Sequence, residues 1–217
     1  MEKIDLMKQF KHLYQPSKKE VTAVDVPPLP FLMIDGAGAP GGEAYAEAIG
    51  ALYSVAYTLK FAVKKAQGID FKVMPLQGLW WADDMASFTE ANKDDWKWTM
   101  MILVPDFITS DVVAAAKEQA FEKKGLASIA KIRLETYHEG PSAHILYIGP
   151  YSDEDETIQR IHEFIAEQGR RLRGKHHEIY LSDPNRTGEA QNDHPPALCM
   201  TDGVLRPSSK LMLPREL

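Results

Sequence analysis

Alternating and helically spaced apolar positions divide the chain into short strands and four helical stretches. Ile4, Leu6, Phe10 and Leu13 recur at helical intervals and Pro16 ends the run, which predicts a short amphipathic helix over residues 1–14. EVTAVDV (20–26) reads as a strand, PPLP as a turn, and FLMIDG (31–36) as a second strand. The strongest helix signal runs from Glu43 to Ala66, with Ile49, Leu52, Ala56, Leu59 and Val63 on one face, lysines near its end and Gly68 as the stop. IDFKVMPL (69–76) and DDWKWTMMILVPD (94–106) follow as strands joined by an aromatic and acidic loop, and a helix over 109–124 ends at Gly125.

The second half repeats this order. KIRLETYHEG (131–140) is predicted to turn at Gly140-Pro141 into SAHILYIGP (142–150), followed by a helix with acids in its first turn and then by HHEIYL (176–181). Strand, strand, helix, strand therefore occurs twice. The expected fold is α+β: duplicated modules with mostly antiparallel sheets, helices on one face and a central ligand cleft. Module one covers about 20–106, a connector 107–130 and module two 131–187.

Composition narrows the functional classes. A 217-residue chain that is 44% hydrophobic can fill a core, and a net charge of -6 offers no basic footprint for nucleic acid or anionic lipid. With no long uncharged apolar run, neither a membrane span nor a signal peptide is expected, and the cytoplasm is the expected compartment. A single cysteine, Cys199, excludes an internal disulfide and a Cys-based zinc cage.

Strand alternation then sorts the polar residues. On 176–181, Glu178 and Tyr180 share a face with His176, while His177 lies with Ile179 and Leu181 on the other. On 131–139, Arg133, Glu135, Tyr137 and Glu139 share a face opposite Ile132 and Leu134. All four tryptophans fall within residues 80–98, where Trp80-Trp81 precede Asp83-Asp84 and Trp96 and Trp98 share a face. If these faces converge, they form a cleft with aromatic walls for planar or cationic ligands and a carboxylate usable in proton transfer. Trp80, Trp81, Trp98, Tyr137 and Tyr151 are the expected ligand contacts, and Glu178, Tyr180 and Glu135 the catalytic candidates. Buried core is the competing reading for Trp96 and Trp98, and a solvated pair with Arg133 the competing reading for Glu135.

Two motifs carry less than they suggest. Gly36, Gly38 and Gly41 spell G-x-G-x-x-G, but the preceding half reads as an antiparallel turn through Pro27-Pro28, the expected ribose-binding acid would fall inside the long helix, and Pro40 sits in the loop. His176 and His177 point to opposite faces of a strand and cannot chelate one ion. No metal or cofactor is expected.

VDVPP-x-x-FLMIDG, ALYSVAYTLKF, VMPLQGLWW, DWKWTMMI, YHEG, IGPYS and GKHHEIYLSDPNR resemble the GyrI-like small-molecule-binding family over residues 1–187. The resemblance implies two fused modules around a cleft, as in effector-binding domains of multidrug-responsive regulators, whose buried glutamate Glu178 would match. Some stand-alone members are similar to hydrolases that open the cyclopropane of DNA-alkylating toxins, a detoxifying activity. Non-enzymatic sequestration of drugs, or modulation of a protein partner such as a topoisomerase, are the alternatives.

After Thr187 the pattern departs from the family. Codons for Thr-Gly-Glu-Ala-Gln-Asn-Asp-His-Pro-Pro, read one base later, can encode the Pro-Glu-Lys-Leu-Lys-Thr-Ile-Ile-Arg typical of relatives. Residues 188–217 are therefore expected to be an out-of-frame, disordered tail. Coding DNA whose codons are incompatible with that second reading would sink the idea.

Overall fold

A computed structural model describes residues 2–83, 90–149, 153–181 and 197–205, with 90–92 and 197–205 described by their backbone. The first half contains β1 (Glu2–Ile4), α1 (Leu6–Gln9), α2 (Lys11–Tyr14), β2 (Thr22–Val26), β3 (Leu29–Ala37), α3 (Glu43–Gln67), β4 (Ile69–Phe71), β5 (Leu76–Trp81) and β6 (Lys97–Leu103). The second half contains α4 (Ser110–Lys124), β7 (Arg133–Tyr137), β8 (Gly140–Ile148), α5 (Asp155–Glu167), β9 (Arg171–Tyr180) and β10 (Ala197–Leu205). The α+β class and the mostly antiparallel pairing are as the pattern predicts.

Several local elements differ from expectation. Instead of one helix over 1–14, β1 pairs in parallel with β4, and Asp5 caps the single turn of α1 by accepting from the Lys8 backbone N–H. Trp80 and Trp81 end a strand rather than lying in a loop. Five of the six β5 residues are buried, so the strand shows no alternation, and Gly78 reads locally as a breaker. Ala197–Leu205 forms a strand between β8 and β9, a departure from the expected tail without ordered elements. A ladder is made by backbone groups, and the facing edges of β8 and β9 offer donors and acceptors to whatever sequence fills the gap.

The main correction concerns pairing. β2 and β3 do not form a hairpin, nor do β7 and β8: β2 pairs with β8, and β7 pairs with β3. The two halves have exchanged their first strands. The proline rings at Pro27-Pro28 hold φ negative, so this pair cannot adopt the positive φ of a tight hairpin turn. The sheet order is β2-β8-β10-β9-β5-β6-β3-β7. Laid flat, six strand spacings would separate β2 from β3 by about 29 Å, yet their two-residue linker reaches only about 11 Å between Cα atoms. His138-Glu139, between β7 and β8, imposes the same closure. The sheet is therefore rolled until its ends meet.

Rolling gives the sheet two distinct faces. Phe31, Gln77, Tyr137, His144, His177 and Ile179 line one small cavity with Leu13 and Tyr14 of α2, so they form the interior of the roll. On the opposite face, Leu32, Ile34, Met100 and Ile102 are fully buried, and α3 packs across β3 and β6 with Leu52, Val55, Ala56 and Leu59 buried. Lys60 and Lys64 bind Asp70 at 3.2 and 2.8 Å, tying the end of α3 to β4 and holding the Asp70 carboxyl below its ordinary range. Among the described residues, no helix is long and apolar enough to cross a membrane.

Trp98 depends on a glycine across the ladder. It pairs with Gly36, and a Cβ there would stand 2.1 Å from the Trp98 ring, too close for any packed contact. Because Trp98 is held on several sides, Gly36→Ala is expected to cost about 1–3 kcal/mol or more through overpacking. Thermal unfolding would show this as a lowered Tm, and near-ultraviolet circular dichroism as a changed indole signal.

Candidate functional site

Glu178 is the eighth of the ten residues of β9, in a sheet position fixed by register. It stands opposite Gly78 on β5, and its neighbours His176 and Tyr180 share its face. Trp80 lies opposite both His176 and Trp98, which brings that face of β9, β5 and β6 into one row. Tyr45, in the first turns of α3, closes the row from above, with ring centroids 5.8 Å from Trp80 and 5.7 Å from Trp98. Trp96 meets Trp80 edge-on at 5.9 Å.

The polar groups in this aromatic shell form a chain. The Trp80 indole N–H donates to the Tyr180 hydroxyl at 3.1 Å, and that hydroxyl donates to Glu178 Oε2 at 2.5 Å. His176 Nε2 lies 3.5 Å from Glu178 Oε1. Glu178 is only 8% exposed, and among the described residues no lysine or arginine pairs with it. The buried Trp98 indole N–H has no hydrogen-bond partner among them. Gly78 makes the chain possible: a Cβ there would stand 2.7 Å from Trp80 Nε1, 2.8 Å from the Met100 methyl and 3.2 Å from the Tyr180 hydroxyl.

Burial, and next the Glu178 carboxylate, push the Tyr180 phenol well above its ordinary value of 10.0. Tyr180 therefore stays a neutral donor through the physiological range. Stability from this neutral phenol is present below its unfolded value and is lost as pH rises through the folded one. In an alkaline titration followed by phenolate absorbance, Tyr180→Phe is expected to leave the early part of the curve unchanged. Loss of one tyrosine from the early phase would contradict that burial.

A second polar chain occupies the interior of the roll. His177 Nδ1 lies 2.9 Å from Glu139 Oε2 and its Nε2 lies 3.0 Å from Gln77 Oε1, while Gln77 Nε2 donates to the Tyr14 hydroxyl at 2.9 Å. Burial and then Glu139 push Tyr137 up to about 12, and burial lowers His144. The two adjacent histidines thus serve opposite faces, as alternation predicts. No cluster of three or more metal-ligating side chains occurs among the described residues.

The sequence candidates separate accordingly. Glu178, Tyr180, Trp80 and Trp98 come together. Glu135 does not join them: it pairs across from Phe31, is exposed, and is held by Arg133 at 2.6 Å. Tyr137 lines the interior cavity on the face away from Glu178. Trp81 points away from Trp80, and Lys175 Nζ sits 3.2 Å from its ring centroid, with burial lowering the lysine. Tyr151 and Asp84 lie outside the described residues. Alternation places His176 on the Glu178 face without making it a candidate, whereas Tyr45 and Gly78 were not foreseen as parts of the cluster. Tyr45 could have been found, since it falls four residues before Ile49 and seven before Leu52 on the apolar stripe of α3.

A family model for the GyrI-like small molecule binding domain matches residues 19–194. Among solved structures, an uncharacterized conserved protein from Listeria innocua is 35% identical, covering 93% of this chain and 100% of its own, with a TM-score of 0.84. A hydrolase encoded by lin2189 from the same organism is 34% identical over 94% of this chain and 100% of its own, with a TM-score of 0.82. The EcmrR C-terminal domain shares the fold at 10% identity, with a TM-score of 0.54 over 87% of this chain and 98% of its own. No curated protein matches the chain in sequence.

Proposed function

The chain belongs to the GyrI-like small-molecule-binding family, and from that premise we propose that it binds planar hydrophobic or cationic molecules at Glu178 and hydrolyses cyclopropane-containing alkylators there. The observation that carries this reading is the buried Glu178 carboxylate, bonded to a neutral Tyr180 and enclosed by Trp80, Trp98 and Tyr45 without a lysine or arginine partner among the described residues. A carboxylate so placed attracts a cation, and the indole and phenol faces add about 0.5–2 kcal/mol per stacked or cation-π contact. The buried Trp98 N–H would gain an acceptor from a ligand carbonyl, relieving a cost of about 1–3 kcal/mol.

In the hydrolytic step, Glu178 takes a proton from water as the water oxygen bonds to a cyclopropane carbon. The ring C–C bond breaks, and its electron pair passes to a conjugated electron-withdrawing group of the ligand. Once Glu178 carries that proton it no longer needs the Tyr180 hydroxyl hydrogen, which is then free to donate to the developing oxyanion, and the proton passes from Glu178 to the product anion, restoring the carboxylate. The similarity to a Listeria innocua hydrolase supports an enzyme over a sequestering protein.

The test is mass spectrometry of a cyclopropane alkylator after incubation with catalytic amounts of protein. Gain of one water per ligand over many turnovers is the expected result. An unchanged ligand that quenches tryptophan fluorescence would replace the enzyme by sequestration.

A further inference from the structure

The outer groove between α3 and α4 has a character opposite to that of the Glu178 cluster. On α3, Tyr53, Tyr57, Phe61 and Lys65 repeat every four residues, a stripe about 18 Å long at 1.5 Å per residue. Gln119, Ala120, Lys123 and Lys124 of α4 form the other wall, and the groove encloses about 620 Å³. Tyr57 is 50% exposed and Phe61 59%, although burying such rings elsewhere helps to hold the fold together. Tyr53 and Tyr57 stack at 6.2 Å, so the aromatic floor is ordered by its own contacts.

Charge specifies the occupant. Three lysines and no carboxylate line the groove, in a chain whose net charge is -6. Lys60 and Lys64, the other lysines of this part of α3, are occupied by Asp70, whereas Lys65, Lys123 and Lys124 make no ion pair among the described residues. An aromatic floor of about two helical turns, Tyr53 to Phe61, with a basic rim is complementary to an amphipathic helix that is aliphatic on one face and acidic beside it. We propose that the α3–α4 groove docks an acidic amphipathic helix of a protein partner, with Tyr57 and Phe61 as the apolar anchors and Lys65, Lys123 and Lys124 reading its carboxylates.

This surface is independent of Glu178, so its test does not depend on turnover. The probe is a labelled, end-blocked helical peptide of about 15 residues, roughly four turns, with leucines at helical spacing flanked by glutamates, titrated against the full chain by fluorescence anisotropy. A control peptide carries lysine in place of every glutamate. Saturable binding of the acidic peptide alone is expected, weakening with salt. Phe61→Ala is expected to weaken it about tenfold, as a packed aromatic anchor should, and Lys123→Glu/Lys124→Glu to abolish it. Circular dichroism checks that these surface variants remain folded. Equal binding of both peptides, binding indifferent to the substitutions, or no binding would overturn the proposal. So would sedimentation showing a dimer that Phe61→Ala dissolves, because the groove would then be an interface between copies of this chain.

Discussion

Glu178→Gln is expected to lower turnover of a cyclopropane substrate by about 10²–10⁴-fold, the usual contribution of a positioned general base. Glutamine keeps the shape of the side chain, and its carbonyl can still accept from the Tyr180 hydroxyl that now lies 2.5 Å away. It cannot take a proton from water. For a neutral substrate the loss should therefore fall on kcat with KM nearly unchanged, since the walls of Trp80, Trp98 and Tyr45 are untouched. For a cationic ligand the same variant should also weaken binding, because the neutralising charge is gone. Unchanged turnover in Glu178→Gln would remove Glu178 from the chemistry. Loss of cation affinity in a protein that turns nothing over would instead identify a sequestering site.

The candidate site was legible wherever it depended on the period of a single strand. Two-residue alternation over 176–181 is enough to place Glu178 and Tyr180 together and His177 opposite, and the structure keeps that division. Alternation over 131–139 is equally correct within its strand, yet it does not say which face of the sheet the strand presents. That depends on partner choice. Because β7 crosses to β3, Glu135 lands opposite Phe31 and Tyr137 enters the interior, so the second acid and tyrosine never meet the first pair. The exchange itself is non-local: Pro27-Pro28 excludes a tight hairpin but does not reveal that β8 is the strand waiting for β2. Helix α3 was legible from its apolar stripe and its Gly68 end, which takes the left-handed cap at φ 71°. Trp80 was misplaced because a strand buried on both faces carries no alternating pattern.

The strand exchange also explains why the interior polar chain should matter most for stability. Glu139 belongs to the two-residue linker that carries the chain from β7 to β8, where the ends of the rolled sheet meet. His177 holds its carboxylate, Arg173 donates to its backbone carbonyl, and Gln77 and Tyr14 extend the bond network to β5 and α2. Glu139 is 4% exposed and His177 3%, so neither can exchange its partner for water. Removing one member of such a pair leaves the other buried without its hydrogen-bond partner, at a cost of about 1–3 kcal/mol. Glu139→Leu and His177→Leu are each expected to cost that much. At about 2–4 °C per kcal/mol for a domain of this size, Tm should fall by roughly 2–12 °C. Glu135→Ala is the internal comparison: its pair with Arg133 is half exposed and should be worth only about 0.2–1 kcal/mol. The double variant Glu139→Leu/His177→Leu leaves neither hydrogen-bonding group of the pair stranded and should recover a large part of the loss. Equal destabilisation by the Glu135 and Glu139 variants, or a double variant as unstable as the sum of the singles, would mean that the buried pair does not hold the crossing shut.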